Sequence, residues 1–224
     1  MKISRFVAGP LETNTYLLYD ERALDAVVVD AGGPSGELLA KLRDLGLKLR
    51  AILITHGHLD HFAWAPELRR RTGAPIYLHR DDLELAGLSS SWGLYYSSSE
   101  LERLEPDALL EGGERLRLGE IELEVLSTPG HSPGSISIYS PSSRSVFVGD
   151  TLFAGSVGRT DLPGGSEEAL LESLRELCTL LPPDTEVYPG HGPSTTLGAE
   201  IENNPYVWLA LRRSSGAPRP SRPR

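Results

Sequence analysis

Four potential metal ligands lie within six residues of the segment 55–61, which reads T-H-G-H-L-D-H and directly follows an apolar run. Imidazole and carboxylate groups suit zinc, iron and manganese. His56 and His58 are two residues apart, so on an extended backbone they project to the same side. Asp60 and His61 stand at the start of a predicted helix and supply a second pair. The segment therefore predicts a metal site rather than an ordinary polar loop.

Three further candidate ligands follow predicted strands, each beside a glycine that permits a sharp turn: His131, Asp150 and His191. With the first four they make seven ligands, enough for two metals that share one bridging group. The remaining histidine, His79, ends a short predicted strand without a companion ligand. We expect it to have a structural role, or to contact a metal-binding side chain without binding the metal itself.

The order H-x-H-x-D-H, G-H, G-D, G-H, from Asn14 to about Pro205, resembles the metallo-β-lactamase superfamily. The resemblance implies that one metal is bound by three histidines, His56, His58 and His131. It implies that a second metal is bound by Asp60, His61 and His191, and that Asp150 bridges the two. True β-lactamases of the superfamily usually carry a cysteine where Asp150 stands. The chain is thus more similar to the short bacterial form of the glyoxalase II-like, or hydroxyacylglutathione hydrolase-like, branch.

Hydrophobic periodicity predicts an α+β domain over residues 1–213, made of two mixed sheets with helices outside. The resemblance implies an αββα sandwich with the metal site at one edge of the sheets. Strands are predicted near 2–8, 15–20, 25–31, 50–55, 75–79, 114–118, 121–127, 135–140, 144–149 and 184–189. Helices are predicted near 35–46, 61–72, 80–88, 167–181 and 198–213.

Composition narrows the function classes. A net charge of −9 disfavours a nucleic-acid substrate. No apolar stretch approaches the roughly 18 residues of a membrane span, and residues 1–12 lack a signal-peptide core. We therefore expect a cytoplasmic protein that binds neither nucleic acid nor membrane; its oligomeric state is not predicted. The tail 214–224, rich in proline, serine and arginine, is predicted to be disordered.

The expected chemistry is hydrolysis of a small-molecule thioester by a hydroxide that bridges two divalent metals, most simply zinc, with iron or manganese as alternatives. A thiolate leaves readily, so no separate general acid is required. Asp60 is both a predicted ligand and the nearest carboxylate to the nucleophile, so we expect it also to hold the hydroxide's hydrogen. Asp30, which ends an apolar run, is a candidate acceptor for a metal-bound imidazole.

Candidate substrate contacts lie in two places. Arg159 either binds a substrate carboxylate by a forked pair or pairs with Asp161 to fix its own loop. Tyr95 and Tyr96 belong to the segment 88–100, which is a candidate substrate-covering loop. Three roles stay open for its aromatic residues: they line the substrate pocket, they anchor the loop to the core, or they form a subunit contact. The 33 residues after His191 are fewer than in glyoxalase II proper, which leaves the thiol carrier open.

Two other reactions stay open. Persulfide dioxygenases resemble the chain, share a G-R-T-D stretch, and bind one iron at positions matching His56, His131 and Asp150. The segment Ser132–Ser135, by contrast, is similar to hydrolases. A lactonase would use the same hydroxide on an oxygen ester. A metal that serves only to stabilise the fold is disfavoured, because a 24.4 kDa domain has sufficient core without one.

Overall fold

The structure is a computed structural model that describes residues 1–91 and 103–213. The first six strands form one mixed sheet. The strands are β1 Lys2–Ala8, β2 Thr13–Asp20, β3 Asp25–Val29, β4 Lys48–Leu53, β5 Ile76–His79 and β6 Ala108–Leu110. They lie side by side in chain order, antiparallel from β1 to β3 and parallel from β3 to β6. The parallel strands therefore all end at one edge.

The other six strands form a second mixed sheet. They are β7 Arg115–Leu118, β8 Ile121–Ser127, β9 Ile136–Ser140, β10 Ser145–Gly149, β11 Glu186–Pro189 and β12 Thr195–Thr196. Their order is β12-β11-β10-β9-β8-β7. Only β10 and β11 pair in parallel, and the other neighbours are antiparallel.

Helices cover the outer faces of both sheets. They are α1 Gly36–Asp44, α2 Leu59–Phe62, α3 Ala65–Thr72, α4 Leu83–Ser91, α5 Glu167–Leu180, α6 Leu197–Asn203 and α7 Pro205–Arg213, and a 3-10 turn, Arg80–Asp82, precedes α4. Within the described ranges, no helix is long and apolar enough to cross a membrane.

Strand alternation divides the core into layers. On β2, Leu17 and Tyr19 join the cluster beneath α1 and α3, whereas Tyr16 and Leu18 face the other way and join the cluster between the sheets. Successive strand residues point to opposite faces, so a sheet covered on both sides needs apolar residues at consecutive positions. The ring of Tyr16 packs on that of Phe147 from the second sheet, with centroids 5.2 Å apart.

The second sheet's outer face is covered by α5, α6 and α7. Ser166 caps α5 by accepting from the backbone N–H of Ala169. Leu170, Leu174 and Leu177 recur at helical spacing and are buried against the sheet. The layers therefore run helices, sheet, sheet, helices, which confirms the predicted α+β sandwich of two mixed sheets.

Two predicted helices are each interrupted, and the reason in both cases is proline. Pro66 has no N–H to donate to the carbonyl of Phe62, so the predicted helix 61–72 divides into α2 and α3. Asn204 precedes Pro205 and is extended (φ −86°, ψ 117°), so 198–213 divides into α6 and α7. The short strands β6 and β12 were not predicted, because three and two residues carry too little periodicity.

Candidate metal centre

The candidate site lies where the two sheets meet at the carboxyl ends of their parallel strands. The segment 54–58 leaves β4, while residues 150 and 190–191 leave β10 and β11. Backbone hydrogen bonds join the sheets at this edge: Ile136 N–H donates to Thr55 O (2.9 Å) and Asn14 N–H donates to Gly190 O (2.7 Å). Ligand loops from both sheets are thereby brought together.

One triad combines the first ligand loop with the loop after β8. The ligating atoms of His56, His58 and His131 all lie within 4.8 Å of one another. His58 Nδ1 and His131 Nε2 are 2.9 Å apart. Three imidazole nitrogens that converge on one point form a set that suits zinc or iron.

A second triad joins the same ligand loop to the loop after β11. The ligating atoms of Asp60, His61 and His191 also lie within 4.8 Å of one another. His191 Nε2 is 3.2 Å from Asp60 Oδ2, and His61 Nε2 is 3.5 Å from that oxygen. The carboxylate gives this set one negative charge, which the three-histidine set lacks.

Asp150 stands between the two triads. Its Oδ1 is 3.3 Å from His61 Nε2, and its Oδ2 is 3.6 Å from His131 Nε2 and 3.7 Å from His191 Nε2. The strand register shifts just before it, and Gly149 adopts a φ of +50° that favours glycine. This turn places the carboxylate within 3.7 Å of imidazole nitrogens from both triads.

The buried imidazoles are oriented by hydrogen bonds at Nδ1, which leaves Nε2 for the site. His61 Nδ1 is 2.8 Å from Asp30 Oδ2, and His131 Nδ1 is 2.8 Å from Arg159 O. His56 Nδ1 is 3.1 Å from Thr55 Oγ1. Because carboxylate and carbonyl oxygens only accept, His61 and His131 carry their protons on Nδ1. The prediction that Asp30 accepts from an imidazole of the site is confirmed.

The residues present fit bound metal ions. Among the described residues, His56 Nε2, His61 Nε2 and Asp150 Oδ1 are buried without a hydrogen-bond partner. Buried polar atoms are nearly always satisfied, and the binding of an ion is one accepted reason for exceptions. All three atoms point into one cluster of nitrogen and oxygen donors, so the cluster is a metal-binding site for divalent cations.

Two imidazoles of the first triad, those of His56 and His58, are held in the form that binds metal. Burial, followed by the nearby imidazoles, holds the pKa of His56 well below its ordinary value. The same two causes lower the pKa of His58 to about 4. Only a neutral imidazole has a lone pair to offer, so these two side chains are available as ligands at neutral pH.

The second triad and the bridging position are rich in negative charge. Burial, the largest single cause, would raise the pKa values of Asp60 and Asp150, but the neighbouring imidazoles, led by His61, together outweigh it and both pKa values are lowered. Burial likewise opposes protonation of His61, yet Asp30 and the two site carboxylates raise its pKa well above the ordinary value. Three carboxylates thus surround one imidazole and favour a cation among them.

Side chains from the first sheet hold the backbone of the His191 loop. Asn14 Nδ2 donates to Pro189 O and Gly192 O, both at 2.9 Å, and Tyr16 Oη donates to Pro189 O at 2.7 Å. Sequence reasoning did not identify Asn14 or Tyr16 as parts of the site. The available signal was an asparagine just before the apolar run Tyr16–Tyr19 of a predicted strand.

The remaining predicted site residues lie outside the cluster. Arg159 forms a forked pair with Asp161 (2.7 and 2.8 Å), and both side chains are exposed. In the described part of the chain its contact with the site is made by its carbonyl oxygen, and substrate binding by the guanidinium stays a prediction. His79 is buried at the end of β5, where Nδ1 accepts from Asp81 N–H. Tyr95, Tyr96 and most of the segment 88–100 lie outside the described residues, as does the tail 214–224.

Comparisons with known proteins agree with this geometry. The family model for the metallo-beta-lactamase superfamily matches residues 8–191. The chain is 39% identical over 209 residues to the probable metallo-hydrolase YqgX of Bacillus subtilis, covering 92% of this chain and 98% of that one. It is 32% identical over 209 residues to the hydroxyacylglutathione hydrolase GloC of Haemophilus influenzae, with the same coverage.

Three solved structures are similar over most of the chain. The B3 metallo-beta-lactamase BLEG-1 shares 36% identity with a TM-score of 0.84, covering 92% of this chain and 99% of that one. TTHA1623 in a di-iron-bound form shares 41% with a TM-score of 0.80, covering 91% and 99%. ETHE1 from Myxococcus xanthus shares 30% with a TM-score of 0.73, covering 98% and 93%.

Proposed function

The chain belongs to the metallo-β-lactamase superfamily, and we propose that it is a two-metal thioester hydrolase of the glyoxalase II-like (hydroxyacylglutathione hydrolase-like) branch. Superfamily membership and the His/Asp cluster together indicate a metal-binding hydrolase. The observation that carries the finer proposal is the position of Asp150, whose carboxylate lies within 3.7 Å of imidazole nitrogens from both triads. One shared carboxylate between two complete triads is suited to two metals rather than one.

The donor set favours zinc, with iron or manganese as the alternatives. His56, His58 and His131 would hold one ion, Asp60, His61 and His191 the other, and Asp150 both. When bound, the two metals would lower the pKa of a bridging water to give hydroxide near neutral pH and would polarise the substrate carbonyl. Iron deserves a direct comparison in the assay because the similar TTHA1623 was solved in a di-iron-bound form.

The protein's own groups orient the reaction. The Thr13 hydroxyl donates to Asp60 Oδ2 at 3.3 Å and so fixes that carboxylate beside His191. Asp60 is partly exposed, its pKa is lowered against the effect of burial by His61 and then by His191, and it is therefore ionised. We assign to it the holding of the nucleophile's hydrogen, which points the oxygen lone pair at the carbonyl carbon.

Substrate approaches from the side of His191. The His191 side chain is 28% exposed, whereas those of His61 and His131 are at most 4% exposed. The ring of Phe153 lies beside His191, with centroids 6.3 Å apart, and supplies an apolar wall at this entrance. Among the residues that the structure describes, the cluster contains no dedicated acid, and this supports a thioester substrate because a thiolate leaving group needs little protonation.

Two observations support the choice of substrate class. Asp150 stands where true β-lactamases of the superfamily usually carry cysteine, and a hydroxyacylglutathione hydrolase is among the relatives that match nearly the whole chain. Persulfide oxidation by a single iron is the second candidate, because His56, His131 and Asp150 also supply a two-histidine, one-carboxylate set. A lactonase would use the same nucleophile on an oxygen ester.

The test is hydrolysis of S-lactoylglutathione by zinc-reconstituted protein, with and without a chelator. We expect turnover that the chelator abolishes and added zinc restores. The same preparation is assayed with a lactone, and an iron-reconstituted sample with glutathione persulfide and oxygen. Oxygen consumption without thioester hydrolysis would overturn the proposal in favour of persulfide oxidation, and preferential cleavage of the lactone would overturn the thioester assignment.

A further inference from the structure

A fully buried aspartate outside the ligand set joins the two loops of the first triad. Asp82 ends the 3-10 turn before α4 and has no exposed surface. Its Oδ2 accepts from Gly57 N–H and from Ser132 Oγ, both at 2.7 Å, and its Oδ1 accepts from Gly134 N–H at 2.6 Å. One carboxylate thus holds donors from two loops that lie far apart in the chain.

These donors flank the three histidines of the first triad. Gly57 lies between His56 and His58, and Ser132 directly follows His131. We propose that Asp82 is a positioning residue that sets the separation of the two loops and thereby the geometry of the three-histidine site. Among the described residues its hydrogen-bond partners are Gly57, Ser132 and Gly134 and include no ligand side chain, so it acts through the backbone that carries the ligands.

The loops approach Asp82 so closely that glycine is required. A Cβ on Gly57 would lie 2.8 Å from Asp82 O and 3.0 Å from Ala86 N. A Cβ on Gly134 would lie 2.8 Å from Asp82 N and 2.9 Å from its Oδ1. Both glycines therefore rest directly on the 3-10 turn and the start of α4, and these contacts leave little freedom for the loops to shift.

The buried carboxylate of Asp82 is compensated by these hydrogen-bond donors. In the described part of the chain, no lysine, arginine or histidine forms an ion pair with Asp82, so hydrogen bonds alone compensate its burial. The Ser132 hydroxyl is itself 2.7 Å from Ser135 Oγ, which extends the network within the second loop. Moving either loop away would leave a buried charge without donors, which is strongly unfavourable.

The test is zinc affinity, measured step by step. The inference rests on the proposed two-metal centre but not on thioester chemistry. In Asp82→Asn, the amide has one acceptor oxygen, so its NH₂ group must face either Gly134 N–H or the Gly57 and Ser132 donors. Metal-free protein is titrated with Zn²⁺ against a chelating dye. We expect one binding step to weaken by about tenfold or more, as when partners of metal ligands are changed, and the other to be unchanged.

Two ligand variants identify the steps. His58→Ala removes a ligand of the three-histidine site, and His191→Ala removes one of the other site. The step weakened in Asp82→Asn should be the one lost in His58→Ala. Ser132→Ala, which removes a single donor to Asp82, is the milder second variant and should weaken the same step by a smaller factor.

Asp25→Asn is the matched control. Asp25 is also a buried aspartate, paired with Arg50 and accepting from Glu120 N–H, but it lies away from the ligand loops. We expect a lower melting temperature and two unchanged zinc affinities.

Equal weakening of both steps in Asp82→Asn and Ser132→Ala, or of neither, would overturn the positioning role. Wild-type protein that binds zinc tightly but cleaves no thioester would overturn the proposed substrate and leave this inference standing. Absence of zinc binding by wild type would overturn both.

Discussion

Asp30 links the two triads through one carboxylate, which makes Asp30→Asn an informative perturbation. Its Oδ1 accepts from Thr55 N–H at 2.8 Å, and its Oδ2 accepts from Thr55 Oγ1 at 2.9 Å and from His61 Nδ1 at 2.8 Å. Thr55 Oγ1 in turn lies 3.1 Å from His56 Nδ1. His61 is therefore held directly, and His56 through one hydroxyl.

The expected magnitude follows from these contacts. The asparagine oxygen can retain the bond to Thr55 N–H, but its NH₂ group then faces the two donors that Oδ2 accepted. A hydrogen bond to a charged group contributes about 1.5–3 kcal/mol, and the Thr55 hydroxyl can turn away, so we expect the metal-free protein to lose about 2–4 kcal/mol of unfolding free energy. Zinc affinity should fall by about 10–100-fold at the site of His61 and less at that of His56.

The assay combines urea unfolding of metal-free protein with stepwise zinc titration, and Asp25→Asn again serves as the control. Asp30→Asn should weaken mainly the step that is lost in His191→Ala, the reverse of the pattern expected for Asp82→Asn. Unchanged zinc affinity at both steps would refute the reasoning that Asp30 orients the ligands. A loss confined to the step of His58 would show that the direct contact to His61 has no effect on binding.

Three further results are expected. Asp150→Ala should lose metal and activity together, and retention of both metals in a metal analysis would contradict its bridging role. Gly32→Ala places a Cβ 1.9 Å from the Asp60 carbonyl oxygen, so in thermal unfolding it should lower the free energy of unfolding by about 1–3 kcal/mol, and it should also weaken zinc binding. Gly36→Ala is the control: open space surrounds this position on α1, so the change should not destabilise the protein. Burial opposes protonation of His61, but three carboxylates raise its pKa in the folded protein above the ordinary value of 6.5. The protonated imidazole therefore stabilises the metal-free protein fully below pH 6.5, and this stabilisation is lost as the pH rises through the folded pKa. As the pH is raised from below 6.5, the melting temperature should therefore fall for chelated protein but not for zinc-loaded protein, and parallel curves would contradict this.

The layers and the ligand set could be predicted from the sequence because both have local signals. Consecutive apolar residues mark strands covered on both faces, as on β2 and β3. All seven predicted ligands lie in one cluster because each follows a strand that ends at the same edge. Spacing alone, however, does not show that Asp150 stands between the triads, since that depends on how the two sheets pack.

The roles of Asp82 and Asn14 were not predicted, for a physical reason. The triplet Arg80-Asp81-Asp82 reads as a charged helix start, yet Asp82 is buried because the loops of Gly57 and Gly134 close over it. Asn14 reads as a polar residue on a strand, and its role appears only once the loop after β11 folds against it. Such roles arise from contacts between distant segments, which no single stretch of sequence encodes.

The most direct test of the two-metal centre is the number of zinc ions bound by wild-type protein and their relation to activity. Metal-free protein would be titrated with Zn²⁺ while S-lactoylglutathione hydrolysis and bound zinc are measured on the same samples. We predict two ions per chain, with activity that reaches its full value only as the second ion binds. Saturation at one ion per chain with full activity would contradict the proposal.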